Sequence, residues 1–198
     1  MEISIRQKCR YFFEHPKEWV TNPQNYKRLI VWVLIFICMF GISITVANYR
    51  VSSQFRVVYS LDKRQNDQEI IKVINNADRY VYFAIYFFTK KDIASALIQA
   101  KKRGLEVVGI TDAGASLDSN KNIVEELREA GIVVETQKHP EGIMHIKTVV
   151  TDKAYASGSY NWTASATNIN DEILEIGTND GVRKQYLNII KKVLIKNQ

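Results

Sequence analysis

Nineteen consecutive residues without a charge, 29–47, limit most sharply what this chain can fold into. The run reads LIVWVLIFICMFGISITVA. A helix of this length, rising about 1.5 Å per residue, roughly spans the hydrocarbon core of a bilayer. An ordinary core helix is shorter and less uniform. A cleaved signal peptide ends in a small-x-small site, for which Thr45-Val46-Ala47 is a weak candidate. The run is therefore predicted to be an uncleaved signal anchor.

The anchor divides the chain into four predicted segments. They are a basic tail at 1–28, the transmembrane anchor at 29–47, a linker at 48–54 and one folded domain at 55–196. Both cysteines, Cys9 and Cys38, precede the domain. The domain therefore needs no disulfide and has no cysteine-based zinc site, so it suits an oxidising or a reducing compartment.

The charge balance says little about a partner. The 27 Lys and Arg against 21 Asp and Glu give +6, and this excess is shared equally between tail and domain. Charge alone does not argue for nucleic acid. Lys27 and Arg28 abut the start of the anchor and Arg50 abuts its end, which slightly favours a cytoplasmic tail. The bias vanishes over a longer count, so the orientation stays open. The prediction is a single-pass protein of a bacterial inner membrane, with its domain in the periplasm or outside the cell.

Alternating strand and helix patterns predict the fold class of the domain. Residues 79–88, RYVYFAIYFF, suit a central strand buried on both faces. Helical and β-branched stretches alternate from there to residue 136, which predicts an α/β sandwich with a mainly parallel sheet. A strand at 143–151, a strand at 154–157 in a tight pair with it, and a C-terminal helix at 180–196 complete the prediction.

Five polar residues in one short stretch indicate phosphate chemistry. The sequence HIKTVVTDKAYASGSYNWT places His145, Lys147, Asp152, Ser159 and Asn161 in the pattern H-x-K-x-x-x-x-D followed by G-S-x-N. On a strand, His145 and Lys147 point the same way, roughly 6–7 Å apart. A nucleophile or acid-base group beside a fixed cation is what attack on a phosphodiester requires. Ser159 and Asn161 repeat the spacing and offer neutral hydrogen-bond donors.

This stretch closely resembles the HKD motif of the phospholipase D superfamily. The form is that of small bacterial endonucleases carrying one motif, and Glu172, in the run Asn170-Asp171-Glu172-Ile173, stands where they carry a glutamate. The resemblance covers roughly residues 55–196. It implies the phospholipase D-like α/β sandwich and a site that works without a cofactor.

The resemblance also implies roles for the residues. One histidine attacks phosphorus and becomes a phosphohistidine, while a second protonates the leaving oxygen. This chain has one motif, and its domain is too short for a second, so a homodimer bringing two His145 residues together is implied. Lys147 and Asn161 would hold the non-bridging oxygens, with Ser159 supporting them. Glu172 would orient the imidazole.

Other polar and aromatic residues near the motif have competing interpretations. Asp152 sits in a turn, where an Asp commonly binds backbone N–H groups, so it is interpreted as structural support. Tyr160 either lines the substrate cleft or packs inside, whereas Trp162 is interpreted as core. His139 is interpreted as a loop residue that brushes a phosphate backbone at most. The segment 112–116 either shapes the cleft or is a surface loop. No HExxH, CxxC or HxH pattern appears, so no metal is predicted.

The function predicted from all this is a membrane-anchored, metal-independent endonuclease acting on DNA or RNA. A phospholipase D, a cardiolipin-type hydrolase or a phosphatidyltransferase using the same site is the alternative. A non-catalytic nucleic-acid-binding module is the third hypothesis, and the complete set of motif residues argues against it.

Overall fold

The computed structural model describes residues 10, 13–52, 54–117, 121–138 and 141–197. Its contacts divide into two compact units, Met1–Val51 and Ser52–Gln198. The first unit contains the helices α1, Pro16–Thr21, and α2, Pro23–Ser52. Within the stretch Pro23–Asn48 of α2, an 18-residue window has a mean hydropathy of 2.8, and none of that window is buried. By length and composition it is a candidate transmembrane helix, as the sequence predicted, although a signal sequence meets the same criteria.

The second unit is built on a seven-stranded sheet in the order β1-β7-β6-β5-β2-β3-β4. The strands are β1 Phe55–Tyr59, β2 Tyr80–Ile85, β3 Glu106–Thr111, β4 Val133–Thr136, β5 Lys147–Thr151, β6 Tyr155–Gly158 and β7 Ile173–Gly177. The helices are α3 Ser60–Lys63, α4 Asn66–Asn75, α5 Lys91–Lys102, α6 Ala113–Leu117, α7 Lys121–Glu129, α8 Ala164–Asn168 and α9 Asp180–Ile195. The predicted α/β class is confirmed.

The sheet is mixed, which corrects the prediction of a mainly parallel one. Only β2 with β3 and β3 with β4 pair in parallel. The other pairings, β1 with β7, β7 with β6, β6 with β5 and β5 with β2, are antiparallel. Helical crossovers α5 and α7 return the chain to the same sheet end and so give parallel neighbours. The short turn between β5 and β6 permits only an antiparallel pair.

Helices cover β2 on both faces, as its unbroken apolar sequence predicted. On one face, Phe83 packs in a core that α4, α5 and α7 share. On the other, Tyr82 packs with residues of α9. Gly109 in β3 allows the ring of Phe83 to lie against the backbone, since a Cβ there would stand 2.0 Å from the ring. The apolar run of β2 therefore joins two separate apolar layers.

The motif residue Lys147 lies in a row of strand residues at one end of the sheet. Ile85 pairs with both Thr111 and Lys147, and Thr111 pairs with Thr136, so these four residues form a row across the sheet. Strand β5 begins at Lys147 and not at 143 as predicted, because its partner β2 ends opposite it, at Ile85. His145 consequently precedes the strand.

Candidate active site

Lys147 is a buried lysine at the first position of β5. It is 6% exposed, and its Nζ donates a hydrogen bond to the carbonyl oxygen of His145, at 3.0 Å. The same ammonium lies 5.3 Å from the ring centroid of Tyr86. Burial lowers the pKa of Lys147, and the nearby carboxylate of Glu172 raises it only part of the way back. A cation is thus held in a poorly hydrated place, where its field acts strongly.

His145 presents its imidazole at the surface beside this cation. The residue is exposed, and its ring makes an edge contact with Tyr86, with centroids 4.7 Å apart. Tyr86 thus touches both the imidazole and the ammonium. The sequence analysis placed Tyr86 inside a longer strand and missed it as a site residue. The available signal was its place immediately after Ile85, where the buried strand ends.

Glu172 is a buried carboxylate braced by distant parts of the chain. It is 7% exposed, and its side chain accepts hydrogen bonds from Ser159 Oγ and, at 3.3 Å, from Asn170 Nδ2. Its backbone N–H donates to Ser60 Oγ at 2.9 Å, and the Ser60 N–H donates to its carbonyl at 3.0 Å. Ser60 was not foreseen, since it lies far from Glu172 in sequence.

The predicted bond from Glu172 to the imidazole does not occur within the described part of one chain. The side chains of Ser159 and Asn170 donate the hydrogen bonds that the Glu172 carboxylate accepts in the described chain. The two hydrogen bonds with Ser60 hold the backbone of Glu172, and its carboxylate bonds Ser159. Within one copy, Glu172 therefore acts on Lys147 through its charge and on Ser159 through a hydrogen bond.

Asn161 and Ser159 lie in the two turns that flank the buried Tyr160. Asn161 Oδ1 accepts a hydrogen bond from the backbone N–H of Phe87 at 3.3 Å, which connects it to the chain leaving β2. With its oxygen held inward, the Nδ2 amide is the group available to donate. Ser159 Oγ donates to Glu172 and accepts from the N–H of Ile173, at 3.1 Å. The side chain of Ser159 is thus occupied within the chain.

Tyr160 does not line a cleft, which corrects one of the alternatives. It is 1% exposed, and its hydroxyl shares a 2.6 Å hydrogen bond with Thr167 Oγ1. Trp162 packs against Phe83 and Phe88, in the core position expected of it. His139 lies outside the described residues.

Asp152 lies at the opposite end of the strands from Lys147, in the turn after β5. Its Oδ1 accepts hydrogen bonds from the backbone N–H groups of Asp78 and Arg79, at 3.0 and 3.2 Å. Burial raises the pKa of this carboxyl, but those bonds and the charge of Arg79 outweigh it, so that the pKa is lowered. Asp152 ties the β5–β6 turn to the start of β2, and it does not approach Lys147.

Asp152→Asn keeps an oxygen for both N–H groups but removes the charge, and it is expected to reduce stability by about 1–2 kcal/mol, because hydrogen bonds to charged acceptors contribute more than those to neutral ones. Because the folded-state pKa is lowered, this contribution is complete above the ordinary carboxyl pKa of about 3.9 and is lost as pH falls through the lower folded value. Thermal unfolding between pH 2 and pH 7 would measure it. Asp78→Asn, which removes an exposed ion pair at the same turn, is the control. Equal losses in both variants would contradict the assignment.

No group of three or more His, Cys, Asp or Glu is placed to hold a metal ion within the part of the chain that the structure describes. The chemistry on display is one exposed imidazole, one buried ammonium, one amide donor and one buried carboxylate. These groups suit nucleophilic attack on an anionic phosphorus centre.

Comparison with known proteins agrees with this constellation. The family model described as "Cardiolipin synthase, PLD-like domain" matches residues 70–194, well over half of the chain. The chain belongs to the phospholipase D superfamily. The resemblance stated from the motif is thereby confirmed. Strands β2 to β7 all lie inside the matched range, and so do His145, Lys147, Asn161 and Glu172.

Curated relatives of this phospholipase D-like chain match over part of their length. A "Phospholipase D" of Rickettsia conorii is 33% identical over 119 residues, 60% of this chain and 58% of the relative. A "Mitochondrial cardiolipin hydrolase" of Xenopus tropicalis is 30% identical over 118 residues, 59% of this chain and 55% of that relative. The chain therefore matches little more than half the length of these relatives.

Solved structures share the fold of this phospholipase D-like domain. Nuc from Salmonella typhimurium, described as a phospholipase D family member, superposes with a TM-score of 0.68 at 24% identity, over 73% of this chain and 95% of Nuc. NucT from Helicobacter pylori superposes with a TM-score of 0.61 at 26% identity, over 71% of this chain and 96% of NucT. Both solved chains are thus covered almost completely by one domain of this protein.

Proposed function

We propose that this protein is a membrane-anchored phosphodiesterase that hydrolyses DNA or RNA internally, without a metal ion, in a homodimeric active site. The observation that carries the proposal is that the exposed imidazole of His145 and the buried ammonium of Lys147 both contact Tyr86. The imidazole supplies a nucleophile, and the ammonium supplies the positive charge that a metal ion provides in other phosphodiesterases.

The reaction divides into two displacements at phosphorus. A ring nitrogen of His145 attacks, a nitrogen–phosphorus bond forms, and the bond to one ester oxygen breaks. The imidazolium of His145 in a second copy gives its proton to that oxygen. The second imidazole then takes a proton from water, which attacks phosphorus and releases His145. Lys147 and the Asn161 amide hold the two non-bridging oxygens while negative charge builds on them.

A homodimer follows from the need for two imidazoles in different protonation states. The matched range contains His145 and His139, and His145 is the one that stands in the H-x-K motif. A twofold axis near His145 brings the same residue in from a partner, and an isologous contact requires no second motif in the chain. The near-complete coverage of Nuc, a solved chain of about the same domain size, supports a one-domain unit.

The relatives favour one specific alternative, hydrolysis of a phospholipid by the same site. Those at 30–33% identity are named phospholipase D and mitochondrial cardiolipin hydrolase, and α2 would bring the domain close to lipid. The cations directly next to the anchor slightly favour a domain outside the cytoplasm of a bacterium. We rank nucleic acid first because the one-motif domain coincides with nearly the whole of Nuc and NucT.

The test uses the full chain in detergent micelles, with excess EDTA present. Labelled DNA, RNA and cardiolipin vesicles are incubated separately with the wild type and with His145→Ala. Nucleic-acid cleavage by the wild type alone is the expected result. Lipid hydrolysis without nucleic-acid cleavage would replace the proposal by its alternative. Activity that EDTA abolishes and Mg²⁺ or Zn²⁺ restores would contradict the metal-free mechanism.

Glu172→Gln is expected to move the alkaline loss of activity to lower pH. Burial lowers the pKa of the Lys147 ammonium, and the Glu172 carboxylate opposes that shift. Since the ammonium is the active form, activity falls as pH rises through the lowered pKa, and removing the carboxylate lowers that pKa further. Rate–pH profiles measure the shift with bis(4-nitrophenyl) phosphate, whose leaving group departs without the proton of the second imidazolium, so that the alkaline limb reports the ammonium. Glu175→Gln, which removes a carboxylate bonded to Tyr155, is the control. Superimposable alkaline limbs for wild type and Glu172→Gln would contradict this role.

A further inference from the structure

The backbone of His145 lies outside the sheet ladder. Strand β5 begins at Lys147, and β2 ends opposite it, so no strand hydrogen bonds fix the residues just before. On the downstream side, the ammonium of Lys147 holds the carbonyl of His145 at 3.0 Å. On the upstream side, the backbone N–H of Met144 donates to Asp112 Oδ2 at 2.8 Å. The Asp112 side chain therefore holds this backbone, as sheet hydrogen bonds hold the backbone of β5.

Asp112 is a buried carboxylate at the end of β3 with two distinct contacts. It is 4% exposed, and Oδ1 accepts a hydrogen bond from the N–H of Ala115, at 3.1 Å, in the first turn of α6. Capping a helix in this way needs one oxygen, and Ser, Thr or Asn supplies it equally well. A carboxylate costs more to bury, and what it adds is a second strong acceptor. That second oxygen is the one bonded to Met144.

The bond to Met144 is the nearest attachment upstream of the imidazole. Met144 is buried among residues that include Ile110 and Leu194, whereas Ile143 beside it is 61% exposed. Gly142 adopts φ 135°, a conformation that glycine reaches readily. Among the described residues, the next backbone N–H bonded upstream is that of Lys138, which donates to Asn197 Oδ1 at 2.7 Å. Without the bond from Met144 to Asp112, the backbone just before His145 would be held only by the packing of the Met144 side chain.

We propose that Asp112 is a positioning residue, whose second oxygen sets the place of the His145 imidazole against Tyr86, the ring that the Lys147 ammonium also contacts. The catalytic part of this inference rests on the proposed phosphodiesterase function. Asp112 touches neither substrate nor imidazole, and it acts through the Met144 amide. Displacement of a nucleophile by about 1 Å is enough to cost on the order of 100-fold in rate.

Two substitutions separate positioning from helix capping. Asp112→Ser and Asp112→Asn both keep an oxygen for the Ala115 N–H and lose the acceptor for Met144. For the full chain in micelles, with bis(4-nitrophenyl) phosphate as substrate, kcat is expected to fall about 10- to 100-fold while KM changes less than about threefold. Asn179→Ala, which removes the cap of α9 at the remote sheet edge, is the stability control, with a lower Tm and unchanged kcat.

A second readout does not depend on activity. The edge contact with Tyr86 shifts the proton resonances of the His145 ring, and in Asp112→Asn those resonances are expected to move towards free-histidine positions while the Met144 amide loses protection from hydrogen exchange. Unchanged His145 resonances, or a kcat within about twofold of the wild type, would overturn the proposal. A wild type that hydrolyses no phosphodiester would remove the proposed function, and the resonances would still decide whether Asp112 holds His145 in place.

Discussion

His145→Ala is expected to abolish hydrolysis, lowering kcat by about 10⁴-fold or more. The side chain is the nucleophile proposed for one copy and the acid proposed for the other, so both halves of the reaction lose a reactant. The fold is expected to survive because the residue is exposed and precedes its strand. His15→Ala, in the other unit, is the control. Acid-labile phosphate bound to wild-type protein and absent from His145→Ala would identify the intermediate, and wild-type turnover by the variant would remove the proposed nucleophile.

Mixed dimers make the same prediction sharper. If each reaction uses one imidazole from each copy, a dimer of one wild-type and one His145→Ala chain has no complete site. Differently tagged chains, co-expressed and purified through both tags, are therefore expected to show no more activity than His145→Ala alone. Half of the wild-type activity in the mixed dimer would show that each copy works alone, and would contradict the shared site.

Lys147→Met is expected to lower kcat by about 10²- to 10³-fold, corresponding to about 2.7–4 kcal/mol of transition-state stabilisation. The ammonium is buried beside Tyr86, so little water screens it from charge developing on the phosphoryl oxygens. Removing it also leaves the carboxylate of Glu172 without its nearby cation, which is expected to lower stability. Lys147→Arg keeps the charge, but its larger planar head must fit the same buried place, and it is expected to recover only part of the activity.

The control for Lys147→Met is Lys153→Met, which removes an exposed lysine paired with Asp78 at the remote sheet edge. Kinetics are compared at a temperature where thermal unfolding shows every variant to be folded. Lys153→Met is expected to retain full activity, since exposed ion pairs contribute little. Retention of more than about a tenth of kcat by Lys147→Met would mean that the transition-state charge is stabilised elsewhere.

The sequence predicted the elements of the domain well, because their signals are local. The apolar run of β2 and the tight pair around Asp152 both follow from residue patterns within ten or so positions. Pairing direction is not local. The same strand patterns suit parallel and antiparallel neighbours, so apart from the tight pair of β5 and β6 the antiparallel pairings were missed.

For the site, the motif predicted which residues carry the chemistry but not what holds them. The spacing of His145 and Lys147 suggested two side chains on one strand, whereas the structure joins them through a carbonyl and a shared aromatic ring. Asp112 bonds Met144 across 32 positions of sequence, and Ser60 bonds Glu172 across 112. Sequence periodicity does not predict contacts at such separations. The roles of Asn161 and the shared histidine site stay predictions until the variants are measured.

The brace between Ser60 and Glu172 has a consequence for biosynthesis. The two residues are 112 positions apart, which a ribosome covers in about 6 to 22 s at roughly 5–20 residues per second. During that interval β1 has no neighbour, since its partner in the sheet is β7. The Glu172 carboxylate, whose charge acts on Lys147, is therefore among the last groups to reach its folded position. In the proposed enzyme, a nascent chain would therefore acquire phosphodiesterase activity only when nearly all of the domain has emerged.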